Sequence, residues 1–260
     1  MVVFHKVIGR MSCAKRQKNN YLCIMANRFF NPRVGTHYQK GFINGKKVLV
    51  LGASHYCLLN SPEKGFVCPV WEECTSREIR DSSKFNTCCP AYEANGWIKE
   101  YGVKLEDSAQ IEVDIFFDAP SSYKTYSNFT NFIIDYFGFI DAEEVWDRLA
   151  FVNYVQYFLP TTATPSFDEG DIKNFEAFLQ TLQELHPDII IVWGTKTRDH
   201  LKKSYIQNMV DKLTMRENNY FWDLDYKGKS YIIVNCWHPS DYFRWPGSLD
   251  SFYNALKEVL

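Results

Sequence analysis

Four short runs constrain the fold of this chain more than any other feature. Residues 47–51 (KVLVL), 150–156 (AFVNYVQ), 188–193 (DIIIVW) and 231–236 (YIIVNC) are rich in β-branched residues and nearly all apolar. A strand with one face in water alternates apolar and polar residues, so a strand apolar at every position must be covered on both faces. Such strands belong to a parallel sheet with helices on either side. The stretches between them carry the matching helical signals: one helix from an Asp171 cap to about Leu185, another over 197–213 and a last one over 248–260. Residues 220–226, followed by Lys227-Gly228-Lys229, read as a hairpin with the last strand. The expected fold class is α/β, a three-layer α/β/α sandwich around a central, mainly parallel sheet.

At 260 residues, 46% hydrophobic and 23% charged, the chain has the make-up of a globular protein able to fill one large core. From Cys57 to about Asn128 the periodicity is weak and turn residues are frequent, so we expect an insertion at about 67–128 inside a domain spanning 31–260. No internal repeat or low-complexity tract interrupts it. The longest apolar run, 189–193, is far shorter than the roughly 20 residues that cross a bilayer. The N-terminus carries charges throughout and lacks the apolar stretch of a signal peptide. The sequence thus predicts a cytoplasmic, monomeric protein without membrane contact. Its eight cysteines, at positions 13, 23, 57, 68, 74, 88, 89 and 236, are then thiols or metal ligands.

The formal charge of −2 is unevenly spread. Residues 1–47 contain no Asp or Glu, while Lys6, Arg10, Lys15, Arg16, Lys18, Arg28, Arg33, Lys40, Lys46 and Lys47 are basic. A basic N-terminal extension over residues 1–30, expected to be disordered, can attract phosphates although the whole chain is mildly acidic. Alternatively, the stretch before Met25 lies outside the natural protein, if Met25 is the start. Aromatic residues, 17% of the chain, crowd into 123–139 and 220–245. Core packing is the ordinary use of such residues, and stacking on bases is the specialised one.

In an open parallel sheet, ligands bind beyond the C-terminal ends of the strands. The residues at three of these ends are unusual: Gly52-Ala53-Ser54-His55-Tyr56 after the first run, Asn153 within the second, and His238-Pro239-Ser240 after the last. Together they resemble the uracil-DNA glycosylase superfamily. That family has a Gly-started loop after its first strand, which in one branch ends with Tyr four residues on, as Tyr56 follows Gly52. Phe66 matches its aromatic about a dozen residues later, Asn153 its second-strand Asn, Trp193-Gly194 its strand ending in Trp-Gly, and His238 to Ser240 its final His-Pro-Ser loop.

The resemblance implies an enzyme that flips a base out of DNA into a pocket and hydrolyses its glycosidic bond, with no cofactor. In that reading Gly52, Ala53, Ser54, Tyr56 and Ser240 border the base, Phe66 stacks on it, and Asn153 reads its edge with one donor and one acceptor. His238 hydrogen-bonds the base oxygen where negative charge grows. Tyr242, Phe243 and Trp245 stand where the family inserts a loop into DNA, and Arg244 can hold a phosphate. Core packing of Phe66, turn capping by Asn153, a backbone-satisfied His238 and burial of 242–245 under the last helix are the structural alternatives.

Two departures qualify the resemblance. The family's branches place an Asp two residues, or a Glu one residue, after the motif Gly to orient the attacking water. Here those positions are Ser54 and Ala53. Either another group does this work, with His55 and Asp241 nearest in sequence, or a dissociative cleavage proceeds without a strong base. The insertion holds Cys68, Cys74, Cys88 and Cys89 without the Cys-x2-Cys spacing of ordinary zinc sites, so buried thiols are expected and no metal site is assigned. The leading function is a glycosylase for uracil or another altered pyrimidine. The alternatives are a defence enzyme excising a bulky modified base from phage DNA, a non-catalytic nucleic-acid binder, and a nucleotide-binding enzyme. For the last, neither a dinucleotide fingerprint nor a P-loop is present.

Overall fold

A computed structural model of the chain describes residues 28–56, 107–156, 158–159, 172–201, 203–216, 221–240 and 249–260. The four apolar runs form the centre of a seven-stranded sheet. Strand β1 is Arg33–Val34, β2 Val48–Gly52, β3 His55–Tyr56, β4 Leu149–Asn153, β5 Phe158–Leu159, β6 Ile189–Trp193, β7 Lys212–Met215, β8 Phe221–Tyr226 and β9 Lys229–Cys236. The large sheet runs β1-β4-β2-β6-β9-β8-β7, and β3 and β5 form a separate parallel pair. Pairings β4/β2, β2/β6 and β6/β9 are parallel, while β1, β8 and β7 add antiparallel margins.

Every residue of β2, β4 and β6 is buried, as their unbroken apolar character requires. Successive side chains go to opposite faces. Val48, Val50, Phe151, Ile191 and Trp193 join a core with helices α1 (Ser108–Asp118), α2 (Lys124–Phe137), α3 (Ala142–Asp147) and α7 (Leu249–Val259). Leu49, Leu51, Val152, Ile190 and Val192 join another with α4 (Ile172–Leu185) and Leu201 of α5 (Thr195–Leu201). The sheet therefore separates two apolar layers. Helix α1, inside the stretch read as an insertion, contributes Ala109, Val113 and Phe116 to the first of them.

The β8–β9 hairpin turns on Lys227 and Gly228, with φ of 50° and 74°. Two positive φ values in a two-residue loop match the twist of the flanking strands. The expectation of one helix over 197–213 needs correction. Helix α5 ends at Leu201, α6 covers only Ser204–Gln207, and Lys212–Met215 pairs antiparallel with β8. Ile206, Met209, Val210 and Leu213 have helical spacing, but their burial follows from packing against the second core as the chain turns into an edge strand. Tertiary pairing here overrides local pattern.

Among the described residues, three of the ten basic residues counted toward phosphate attraction are engaged within the fold, Lys47 by donating from Nζ to the Leu185 carbonyl at 3.4 Å. Arg28 pairs with Glu184 of α4 at 2.5 Å, and the Arg33 guanidinium donates to the Trp146 carbonyl. Among the described residues, no helix is long and apolar enough to cross a membrane.

Candidate functional site at the sheet edge

The register places the ends of four parallel strands at one level: Gly52 faces Asn153, Leu51 faces Val192, and Trp193 faces Cys236. Gly52 is the floor of this edge. A Cβ at that position would stand 2.1 Å from Asn153 Oδ1 and 3.0 Å from the Phe151 ring, so only glycine lets the amide lie across the neighbouring strand. The loop carbonyls of Gly52 and Ala53 accept the N–H groups of Tyr154 and Val155, each at 3.0 Å. These bonds continue the β2–β4 contact beyond the last strand residue and hold the loop in place.

Asn153 is 4% exposed and makes a network rather than a simple turn cap. Its Nδ2 lies 3.2 Å from both ring nitrogens of His55 and 3.4 Å from Glu112 Oε2. His55 Nδ1 is 2.9 Å from Glu112 Oε1, with Ser108 Oγ 3.3 Å away. The Tyr126 hydroxyl donates to Glu112 Oε2 at 2.6 Å. Burial, together with the Glu112 charge and this hydrogen bond, raises the Tyr126 phenol well above its ordinary range, so it remains a donor. The Phe30 ring packs against His55 with centroids 4.0 Å apart. The N–H groups of Phe29 and Phe30 are held at 3.0 Å by Gln156 Oε1, whose Nε2 donates to the Asn153 carbonyl at 2.9 Å.

On the other side, β6 ends at Trp193, and Gly194 turns with φ of 95°. The side chain of Asn235 braces this turn by donating to the carbonyls of Val192 at 3.1 Å and Gly194 at 3.0 Å. A Cβ on Gly194 would be 3.6 Å from the Cβ of His238, which sets that histidine over the turn. His238 Nδ1 lies 2.9 Å from Ser240 Oγ and receives the Ser240 N–H at 3.3 Å. Because Nδ1 accepts, a neutral His238 carries its proton on Nε2. Asn128 of α2 clamps the loop by donating to the Pro239 carbonyl at 2.6 Å. Three strand spacings, about 14 Å, separate β4 from β9.

The edge thus gathers Gly52, Ala53, Ser54, His55 and Asn153, with the His238–Ser240 loop standing over Gly194. Ser54 is 7% exposed, and among the described residues its hydroxyl has no hydrogen-bond partner. Of Tyr56 only the backbone, paired with Leu159, is described. Phe66, Asp241, Tyr242, Phe243, Arg244 and Trp245 lie outside the described residues, as do Cys68, Cys74, Cys88 and Cys89. Cys236 is a buried free thiol whose pKa burial pushes up, in keeping with a structural cysteine. Sequence reasoning missed Glu112, Tyr126, Ser108, Phe30 and Gln156. The one signal toward Glu112 was indirect: a Gly-started loop without its carboxylate invites a search for one elsewhere. In comparisons with known proteins, no family model and no curated protein matches this chain.

Proposed function

We propose that the protein is a DNA glycosylase with a uracil-DNA-glycosylase-like fold, which hydrolyses the glycosidic bond of an extruded uracil or other altered pyrimidine. The observation that carries this reading is the arrangement at the sheet edge. An Asn amide lies on a glycine at one strand end, and a His-Pro-Ser loop with its proton on Nε2 stands beyond another. The Asn153 amide offers Oδ1 as acceptor and, when one N–H turns from its present partners His55 and Glu112 to the base, the donor that a pyrimidine edge requires, on a well-packed strand. His238 Nε2–H is a donor for the base oxygen on which charge develops as the bond to the sugar breaks. The order β4-β2-β6-β9, with the polar residues at its C-terminal edge, is also where an open α/β sheet binds ligands.

The test is a panel of single- and double-stranded oligonucleotides carrying uracil, 5-hydroxymethyluracil, cytosine, 5-hydroxymethylcytosine or a glycosylated pyrimidine. Each is incubated with the full chain and then heated in alkali to cut abasic sites. Strand scission at one altered base and not at normal ones is expected. Intact strands across the whole panel, with the altered bases still attached by mass, would overturn the reading.

A further inference from the structure

We propose that Glu112 supplies the water-orienting carboxylate that the Gly52 loop lacks, with His55 and Tyr126 as its positioning residues. The inference rests on the glycosylase reading above and names a group within that same site.

Three donors from three separate elements converge on this one side chain: His55 Nδ1 at 2.9 Å, Tyr126 OH at 2.6 Å and Asn153 Nδ2 at 3.4 Å. A carboxylate accepts only, so it can receive all three, whereas a Gln in its place would turn its own N–H bonds against one of them. The arrangement fixes both oxygens. It also fixes His55: with Nδ1–H given to Glu112, the ring nitrogen left as acceptor is Nε2, within 3.2 Å of the Asn153 amide.

Exposure decides which member of the pair meets water. The His55 side chain is 1% exposed and Glu112 is 28% exposed. His55 is thus the buried brace and Glu112 the group with access. In the proposed function the carboxylate borders the amide that reads the base, with Glu112 Oε2 3.4 Å from Asn153 Nδ2. A second observation concerns the same loop. Among the described residues the Ser54 hydroxyl, next to His55 in the chain, is buried without a hydrogen-bond partner, at the loop position where one branch of the family carries its Asp. A buried hydroxyl without a partner is uncommon, and a bound water would satisfy it.

The chemistry balances with water alone. The bond from C1′ to the base nitrogen breaks, and its electron pair leaves on the base, whose oxygen accepts a hydrogen bond from His238 Nε2–H, which keeps its proton. The oxygen of water forms the new bond to C1′. One proton of that water passes to the Glu112 carboxylate and then to the departed base, which restores the carboxylate and leaves an abasic sugar and a neutral base. Before the proton moves, the negative charge of Glu112 faces the positive charge building on the sugar, which lowers the barrier in a dissociative cleavage.

The test uses the full chain and the panel base that the wild type releases, in single-turnover assays. Glu112→Gln and Glu112→Ala should each slow release by about 10²-fold or more, with oligonucleotide affinity retained. Sodium formate, a small carboxylate, should restore part of the rate to Glu112→Ala and leave Glu112→Gln unchanged. Tyr126→Phe, which removes one donor, should slow release by about 5-fold. Wild-type rates in either Glu112 variant would overturn the inference and leave the glycosylase reading standing. Slow variants that formate cannot rescue would assign Glu112 a purely structural role and overturn it too. If the Glu112 variants fail to fold, a wild-type rate in Tyr126→Phe rejects the inference and the reduced rate supports it. A wild type that releases no base overturns the reading beneath it.

Discussion

Gly52 and Asn153 are fitted to each other: a single methyl group on the first would stand 2.1 Å from the amide oxygen of the second. Gly52→Ala must therefore push the Asn153 side chain aside or shift the strand. We expect a loss of about 1–3 kcal/mol in stability from overpacking and a fall of at least about 10²-fold in base release, because a displaced amide no longer meets the base. Urea unfolding and single-turnover kinetics measure the two effects. A variant with wild-type kinetics would show that Asn153 does not read the substrate.

His238 and Asn153 are expected to fail in different ways. In the proposed reaction His238 would stabilise charge that appears only as the bond breaks, so His238→Ala should lower the release rate by about 10²-fold with little change in DNA affinity. Asn153 would touch the base throughout, so Asn153→Ala should also narrow the preference for the correct base over its competitors. Rates and binding on matched oligonucleotides distinguish these patterns. Equal preference in Asn153→Ala and wild type would remove Asn153 from base recognition.

Gln156 ties the segment before β1 to the strand that carries Asn153. Its Oε1 accepts two N–H groups, those of Phe29 and the fully buried Phe30. Gln156→Leu withdraws that acceptor and should cost about 2 kcal/mol or more. Gln156 is 2% exposed, so Gln156→Glu is compared at a pH where its carboxyl is protonated; it then keeps the acceptor, can donate its O–H to the Asn153 carbonyl, and should cost less. Denaturant midpoints compare the two, and a Leu variant as stable as the Glu variant would contradict the assignment.

Asp147 makes part of the stability pH-dependent. Burial raises its pKa, but the His37 and Thr36 hydrogen bonds outweigh this and hold it below the ordinary value of 3.8. A carboxyl with a depressed folded-state pKa contributes stability above its unfolded value, and that contribution disappears as the pH falls through the folded one. The pair is partly exposed, so Asp147→Asn should cost less than about 1 kcal/mol near neutrality. The gap in melting temperature from wild type should close below about pH 4. A gap that persists unchanged at lower pH would mean that the carboxylate charge is not its source.

The parts of this molecule visible in the sequence are those in which one residue type has one physical use. The strands β2, β4, β6 and β9 declare themselves because two-sided burial leaves long stretches without charged positions, broken only at their ends, as by Asn153 in β4 and by Lys229, Ser230 and Asn235 in β9. Gly52, Asn153 and His238 stand out because polar or glycine residues end those runs. Glu112 does not, since a Glu within a helix is ordinary and its partners His55 and Asn153 lie 57 and 41 residues away. Lys212 and Leu213, at the end of the stretch with helical spacing, lie in an edge strand instead, because pairing with β8 outweighs so short a local pattern. The basic character of Arg33 suggests phosphate attraction, yet its guanidinium donates to the Trp146 carbonyl beside the antiparallel β1–β4 pairing, which the sequence does not reveal.

Helix α2 reaches both flanks of the sheet edge, through Tyr126 to Glu112 on one side and through Asn128 to the Pro239 carbonyl on the other. Phe129, between them in the chain, packs against Trp193 with ring centroids 5.2 Å apart. The helix therefore works as a yoke: a tilt or slide of its axis displaces the carboxylate and the histidine loop in the same movement. A substitution that shifts the helix axis reaches both flanks, whereas one that removes only the Tyr126 hydroxyl or the Asn128 amide reaches one.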